Sequence, residues 1–389
     1  MLFLGTFVPT SKIPEYKGIS SYIDYPGIYF QDTLHYGFCS VCEKVSSIVV
    51  PNLKTFFPNS YIGSYTFDWH GSPNNLSMGY FNIHGVKELV TPYKILSNIK
   101  EPIDMVFIYS IGSLQYKVAS LLKRKYPQVK IISIIADLPE YMSMSTSPIV
   151  QVLKKIDWKI IKYNIQAISG FVFLSPYMKE KLPIGDKPWI QVEGIFNAKD
   201  ENIQEASEKG NYIFYSGALY EKYGVNDLVN AFNLIQDTNV ELWLCGYGES
   251  ESFIKKSQKQ NPRIKFLGIL DRDKVLDLQK NARLLINPRH STEEFTRYSF
   301  PSKTMEYLVS GTPVLMSRLA CIPSNYDDYL FYFDDESVEG FAKKIDEVLR
   351  MDSTQLNSIG RLARKFILTK KNPIVQCQRI VDFVENIRL

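Results

Sequence analysis

The sequence predicts an α/β protein made of two parallel-sheet domains facing a central cleft. Three observations predict it. Short apolar runs alternate with amphipathic helical patterns along the whole chain, the signature of βαβ units. The length, 389 residues, fits two domains of roughly 100–200 residues each. A polar stretch over 197–210 divides the strands into two sets. Residues 1–197 are assigned to the first domain and 198–370 to the second, with 371–389 forming a C-terminal helix that returns to the first domain.

In the first half the candidate strands are 2–7, 45–50, 105–109, 130–135 and 170–174, and in the second 212–216, 240–245, 264–267, 284–287 and 314–316. Between them lie helices such as 227–235, where Leu228, Ala231, Phe232 and Ile235 recur at i, i+3, i+4 and i+7. A longer helical pattern covers 148–168. Ile149, Val152, Leu153, Ile156, Ile160, Tyr163 and Ala167 fall on one face, which is expected to pack inward. The other face mixes Lys154, Lys155 and Lys162 with Val150, Trp158, Ile161 and Ile165, a combination suited to an anionic membrane surface; a helix packed on two sides with solvated lysines is the alternative. Asp271 and Asp273 imitate a D-x-D metal motif, but they precede a short helical pattern over 274–281 and read as N-capping residues.

Composition narrows the function. With 45% apolar and 22% charged residues the chain is no disordered scaffold, and a net charge of +4 is too mild for a dedicated DNA binder. The charge is uneven: residues 1–199 carry +6 and residues 200–389 carry −2. Cys39, Cys42, Cys245, Cys321 and Cys377 are an odd set that fits a reducing compartment, and the lone Cys39-Ser-Val-Cys42 pair lacks partners for a four-ligand zinc site. No metal is expected. The first residues carry no basic flank or signal-type apolar core, and no run reaches the ~18–20 apolar residues that span a bilayer. A cytoplasmic protein, peripheral on the inner face of the membrane through 148–168, is the expectation.

The densest chemistry runs over 286–315. A strand ends at Asn287, a polar loop follows, and a helix starts near Pro301, whose missing N–H suits a first helical turn. Ser302, Lys303 and Thr304 then surround the positive helix end, which can hold a diphosphate. Glu306 lies one turn on; an ionised carboxylate accepts hydrogen bonds from the paired hydroxyls of a ribose. Gly311 closes the helix and Pro313 follows. Gly5 and Thr6, directly after the first strand, are placed at a tight turn facing the cleft. Asp137, after an apolar strand, is either a site carboxylate or the cap of the next helix.

With these residues in view, the sequence resembles the family 4 (group 1) glycosyltransferases of GT-B fold, best over 212–350. Phe300-Pro-Ser-Lys-Thr-Met-Glu306-Tyr-Leu-Val-Ser-Gly-Thr-Pro-Val-Leu is similar to the family's F-P-x-x-x-x-E-a-x-a-x-G-x-P-V segment. Tyr215-Ser-Gly217 through Lys222-Tyr-Gly224 resembles its donor-phosphate loop, Gly246-Tyr-Gly248 its G-x-G segment, and Phe266-Leu-Gly268 its base-proximal loop. The resemblance implies two Rossmann-like domains, the first binding acceptor and the second nucleotide sugar. It further implies transfer with retention, no essential metal or other cofactor, and Glu306 on the nucleotide ribose. Three positions depart from the pattern. Tyr298 stands where the family often has Glu, Ala218 replaces a phosphate-binding Arg, with Tyr223 at the loop Lys position, and Ala136 replaces an N-lobe His. Lys222, Arg289, Arg297 and Lys303 are expected to supply the missing cationic charge and Glu294 the acidic role. The donor-binding set is therefore Gly5, Thr6, Gly217, Lys222, Arg289, Tyr298, Phe300, Pro301, Ser302, Lys303 and Glu306, with Asp137 and Glu294 catalytic.

The acceptor implied is a saccharide or lipid-linked saccharide. The segments around Asp137 and 293–303 resemble versions from bacterial capsule and exopolysaccharide enzymes. Nucleic acid is not an expected partner. Two rival readings stay open: an inactive partner subunit of an active transferase, motivated by the three departures, and a sugar-nucleotide epimerase on the same scaffold, disfavoured by only four histidines. A nicotinamide dehydrogenase is poorer, because no G-x-G-x-x-G follows the first strand.

Overall fold

The computed structural model describes residues 1–20, 22–53, 61–83, 85–138, 148–198 and 209–388, and the chain divides into two compact units, Met1–Ile195 with Pro373–Leu389, and Phe196–Asn372.

The strands of the first unit are β1 (Leu2–Gly5), β2 (Ser46–Val49), β3 (Tyr61–Ile62), β4 (Tyr65–Trp69), β5 (Ser72–Ser77), β6 (Tyr80–Phe81), β7 (Met105–Tyr109), β8 (Lys130–Ile135), β9 (Gly170–Phe173) and β10 (Trp189–Gln191). Eight of them form one sheet in the order β10-β9-β8-β7-β1-β2-β5-β4, parallel except for β4, which pairs antiparallel with β5; β3 and β6 form a small antiparallel pair. Its helices are α1 (Ile13–Lys17), α2 (Tyr25–Val41), α3 (Val86–Asn98), α4 (Ser113–Lys125) and α5 (Pro148–Asn164), with the chain's last helix, Pro373–Glu385, packed against α2. Phe3, Phe38, Phe107 and Ile132 pack with Cys377, Ile380 and Val384 of that helix in one core. Gly37 permits the approach: a Cβ there would stand 2.4 Å from the Cys377 Sγ.

The second unit contains β11 (Tyr212–Ser216), β12 (Glu241–Cys245), β13 (Ile264–Phe266), β14 (Leu284–Asn287), β15 (Val314–Met316) and β16 (Phe331–Tyr332), all parallel, in the order β13-β12-β11-β14-β15-β16. Its helices are α6 (Val225–Phe232), α7 (Glu251–Gln260), α8 (Arg272–Asn281), α9 (Phe295–Tyr298), α10 (Ser302–Val309), α11 (Val338–Leu349) and α12 (Ser353–Lys370), the C-terminal one thus being α13. Both sheets reverse strand order at one internal point, between β1 and β7 and between β11 and β14. At such a reversal the loops leave in opposite directions and open a crevice at the carboxyl strand ends.

All ten predicted strands are present within a residue or two at their ends. The alternation did not reveal β3 to β6, whose sequence mixes Tyr, Asn, Ser and Gly, nor the two-to-three-residue edge strands β10 and β16. The expectation for 148–168 is corrected in two respects. The α-helix ends at Asn164, whose side-chain amide donates to the Ile160 carbonyl at 2.8 Å. Its faces are also inverted: Ile161 and Ile165 are buried and Trp158 half-buried, whereas Val152, Ile156 and Tyr163 are exposed. With apolar residues on both faces the period alone could not choose; the apolar run continuing through Ile161, Ile165 and Ile168 into β9 decides it. The polar stretch over 199–208 and Glu140 lie outside the described residues, as do the side chains of Ile149 and Val150.

Candidate functional site

In the second unit, the loops that leave β11, β12 and β13 are bound to one another at the carboxyl end of the sheet. Gly217 N–H donates to the Cys245 carbonyl (3.0 Å), Leu219 N–H to Tyr247 (2.8 Å) and Gly246 N–H to Gly268 (2.8 Å). Gly246 has φ +139°, and a Cβ there would sit 1.7 Å from the Gly217 carbonyl oxygen, so only glycine lets these loops stack. Gly224, at φ +74° between the phosphate-type loop and α6, makes the same kind of approach to Pro288 after β14. The order reversal thus brings the 217–224 loop beside Pro288, Arg289 and His290.

There, two cations converge on shared aromatic rings. The Lys222 Nζ stands 5.3 Å from the Tyr223 ring centre and 6.0 Å from that of Phe295; the Arg289 guanidinium is 4.5 Å from Tyr223 and 5.9 Å from Phe295. Among the described residues neither forms an ion pair with a carboxylate, so the rings hold the charges without neutralising them. The Arg289 loop is fixed from behind by His290, whose Nε2 lies 2.7 Å from Asp227 Oδ2 and whose Nδ1 lies 3.5 Å from Glu336.

Glu306, in the second turn of α10, is the centre of a polar network. Its Oε1 accepts from Gln279 Nε2 (2.6 Å) and Lys303 Nζ (2.7 Å), and its Oε2 from Arg272 Nη1 (3.1 Å). Gln279, fully buried, also donates to Ser216 Oγ at 3.0 Å, and Ser216 N–H donates to the buried Tyr307 hydroxyl at 2.9 Å. The network ties α8 and α10 to the end of β11. Burial alone would push the Glu306 carboxyl up, but Lys303, Gln279 and Arg272 overcome it and hold it below the usual carboxylate range. Counting about two lone-pair sites per carboxylate oxygen, Oε1 is filled and Oε2 keeps one site. A vicinal diol needs two, so Arg272, the more exposed partner, must yield one.

The first unit holds a separate cavity of about 800 Å³ at its own order reversal, within the usual size range of small-molecule sites. Thr6, after β1, and Ser110, after β7, line it with Asp137, after β8. Thr6 N–H donates to Gln31 Oε1 at 2.8 Å, and Ser110 has φ +69°, a left-handed conformation that non-glycine residues rarely adopt. Asp137 opens onto the cavity; burial and the nearby Asp24 carboxylate raise its pKa, and both carboxylates help push the buried Tyr109 phenol upward.

Residues 196–366 match the family model described as "Glycosyl transferases group 1". The sequence matches no curated protein significantly. Among solved structures the chain is similar to a lipopolysaccharide outer core galactosyltransferase, WaaB (14% identity, TM-score 0.63, 99% of this chain and 98% of that one). It is also similar to HepE of Anabaena in complex with UDP (13%, TM-score 0.62, 99% of each chain), and to a sucrose-phosphate synthase from Thermosynechococcus elongatus (13%, TM-score 0.61, 99% and 98%). This chain is a glycosyltransferase. Its fold is GT-B, with two Rossmann-like units.

The glycosyltransferase brings together most of the predicted donor residues in its second unit. Gly217, Lys222 and Arg289 meet at the order reversal. Pro301 takes the position just before α10 rather than its first turn, and Ser302 opens that helix. Lys303 forms an ion pair with Glu306 at 2.7 Å. Tyr298 and Phe300 are buried, serving as packing beneath the loop. Glu294 is exposed at the start of the one-turn α9, next to Phe295. Gly5, Thr6 and Asp137 belong to the first unit. Asp271 stands at the N-cap of α8 but its side chain makes no capping hydrogen bond. The residue between the two aspartates, Arg272, is the one that reaches the site. Arg272, Gln279, Tyr307, His290 and Asp24 escaped sequence reasoning. Only the i, i+7 spacing of Arg272 and Gln279 on one face of α8 carried a signal.

Among the described residues no helix is long and apolar enough to cross a membrane, and no three His, Cys, Asp or Glu side chains group as metal ligands. Cys39 and Cys42 are half-buried free thiols; burial pushes Cys39 up to about 11.

Proposed function

We propose that this glycosyltransferase moves a sugar, with retention of configuration, from a nucleotide diphosphate sugar to a hydroxyl of a saccharide or lipid-linked saccharide in bacterial surface polysaccharide synthesis, without an essential metal. The observation that carries the donor side is the convergence of Lys222 and Arg289, two cations without carboxylate partners among the described residues, at the strand-order reversal of the second unit. The acceptor oxygen bonds to the anomeric carbon as the bond to the diphosphate oxygen breaks. The electron pair leaves with the diphosphate, and the acceptor's proton passes to the departing oxygen. Charge accumulates on that leaving group in the transition state, and fixed cations and helix N–H groups there do the work a metal would do. Glu306 holds the ribose. Asp137, its pKa raised, accepts a hydrogen bond from the acceptor hydroxyl, and Glu294 supplies the second carboxylate of the reaction.

Peripheral contact with an anionic membrane belongs to the same reading. On α5 the exposed Val152, Ile156 and Tyr163 stand beside exposed Lys155, Lys159 and Lys162; on α3, Val86, Leu89, Val90 and Tyr93 form another exposed stripe, and both helices pack on α4. Apolar side chains flanked by lysines are what an anionic bilayer surface retains. Sedimentation with vesicles containing anionic lipid should carry the protein down, and equal recovery with neutral vesicles excludes this contact. The transfer itself is tested by following nucleoside diphosphate release from a panel of sugar nucleotides; loss of release in Arg289→Ala supports the assignment, and full retention removes it.

A further inference from the structure

The start of α6 holds the chain on both sides of Arg289. On one side Pro288 lies against Gly224, the residue that precedes the helix; a Cβ at Gly224 would stand 1.9 Å from the Pro288 carbonyl oxygen. On the other side the His290 Nε2 lies 2.7 Å from Oδ2 of Asp227, in the first turn of α6. The His290 Nδ1 faces Glu336 Oε2 at 3.5 Å, an ion-pair distance, and the same oxygen accepts the Ser291 N–H at 2.8 Å. The ring is also fixed in its plane, because its face stacks on the fully buried Phe341 of α11, with 5.5 Å between centres and 13° between planes.

The donor count of the ring shows why a histidine suits this place. A carboxylate oxygen only accepts, and a neutral imidazole donates from one nitrogen while it presents a lone pair at the other. Between Asp227 and Glu336 that lone pair would face a carboxylate oxygen whichever nitrogen carried it. Only the imidazolium offers an N–H to each. It then bridges α6, through Asp227, to the segment before α11, through Glu336, with the 288–291 loop fixed between them. Among the described residues these two carboxylates are the charged groups that contact the ring; α11 contributes Phe341, and Arg289 is the neighbouring charge in the same loop. The Arg289 guanidinium itself is held by ring faces, 4.5 Å from the centre of Tyr223 and 5.9 Å from that of Phe295. Such contacts lack the directionality of a hydrogen bond, so the position of this cation depends on how firmly its backbone is held.

We propose that His290 is a positioning residue for donor binding, which holds Arg289 in register with the 217–224 loop so that Arg289 and Lys222 meet one diphosphate. This deepens the donor side of the proposed function and rests on it.

The test is calorimetric titration of the intact protein with UDP, GDP and ADP, and with the parent nucleoside of whichever binds wild type most tightly. His290→Phe keeps a ring on Phe341 and removes both nitrogens. It should weaken the diphosphate about three- to tenfold and leave the nucleoside unchanged. Added to Arg289→Ala, it should cost less than about a further twofold, because a residue that acts through Arg289 has nothing left to position; a merely structural role would add its full loss. Asp227→Ala, at a partly exposed site, should reproduce both results and decides the matter if His290→Phe melts below wild type. Raising the pH strips the ring of one N–H. The ratio of wild-type to His290→Phe affinity, in which the ligand's own titration cancels, should therefore shrink between about pH 5.5 and about pH 9. Unchanged diphosphate affinity in both variants, equal weakening of diphosphate and nucleoside, full additivity with Arg289→Ala, or a ratio constant across that range overturns the proposal. Diphosphate binding that depends on Arg289 but not on His290 or Asp227 sinks this inference alone and leaves the donor reading standing. A folded wild type that binds none of the three diphosphates sinks both.

Discussion

Removing the Glu306 carboxylate should separate its structural role from its role in binding. Its side chain is 12% exposed, and its partners differ in burial: Lys303 is 38% and Arg272 56% exposed, whereas Gln279 is fully buried. The two ion pairs are therefore screened and contribute about 0.5 kcal/mol each. Stripping the buried Gln279 amide of its 2.6 Å acceptor costs about 1–2 kcal/mol more. Glu306→Ala should then destabilise the second unit by about 2–3 kcal/mol, lowering its melting temperature by roughly 4–10 °C. Glu306→Gln keeps an acceptor for Gln279 and should cost about 1 kcal/mol or less. Both variants lose the charge proposed to grip a ribose. Two charge-assisted hydrogen bonds are worth about 3 kcal/mol together, so both should bind nucleoside diphosphate roughly a hundredfold more weakly. Calorimetric titration and thermal melts on the same preparations read the two effects. Nucleotide affinity unchanged in Glu306→Gln would refute the ribose assignment; an unchanged melting temperature in Glu306→Ala would refute the network. The pH dependence has a defined sign. Because Glu306's pKa is lowered on folding, its contribution is present above the ordinary carboxylate value and fades as pH falls through the folded value, so the stability gap between wild type and Glu306→Gln should close on acidification.

Further outcomes follow from the same geometry. Arg272→Ala frees a lone pair on Glu306 Oε2 and should leave nucleotide binding intact or tighten it severalfold; calorimetry showing a tenfold loss would mean that Arg272 itself holds the ligand. Arg289→Ala and Lys222→Ala should each weaken nucleoside diphosphate binding by about 1–2 kcal/mol while leaving nucleoside affinity unchanged, a comparison that reads the phosphate contribution alone. Asp137 carries a raised pKa, so its ionised form costs stability above the ordinary carboxylate value. Asp137→Asn should melt higher than wild type at neutral pH, match it near pH 3 and lose transfer activity. Tyr307→Phe leaves the Ser216 N–H without its acceptor in a fully buried place and should destabilise the second unit by about 1–3 kcal/mol, visible in denaturant titration.

Much of the scaffold was legible because parallel sheets covered on both faces write themselves as continuous apolar runs, such as Val106 to Ile108 or Leu284 to Ile286. The strands that escaped are short or, like β4 and β5, carry Tyr, Thr, Asn and Ser in place of such a run. Glu306 was legible through the fixed spacing from Pro301 to Gly311. Its partners were not: Arg272 and Gln279 come from a helix 27 to 34 residues away in sequence, and only the packing of α8 against β11 and α10 brings them to one carboxylate. The Lys303 contact was not legible either: a cation at a helix start reads as a phosphate ligand, and its ion pair with the carboxylate three residues on appears only in the structure. Helix 148–164 is a third case: period locates an amphipathic helix, but with apolar residues on two faces only tertiary contacts choose which is covered.

Nucleoside diphosphate release by the purified chain, supplied with UDP-, GDP- and ADP-sugars and compared with Glu306→Gln, tests the donor assignment most directly. Release from one sugar nucleotide, reduced at least tenfold by that substitution, is the expected result. A folded chain that consumes a sugar nucleotide at the same rate with Glu306→Gln, or that binds no nucleoside diphosphate at all, would contradict it.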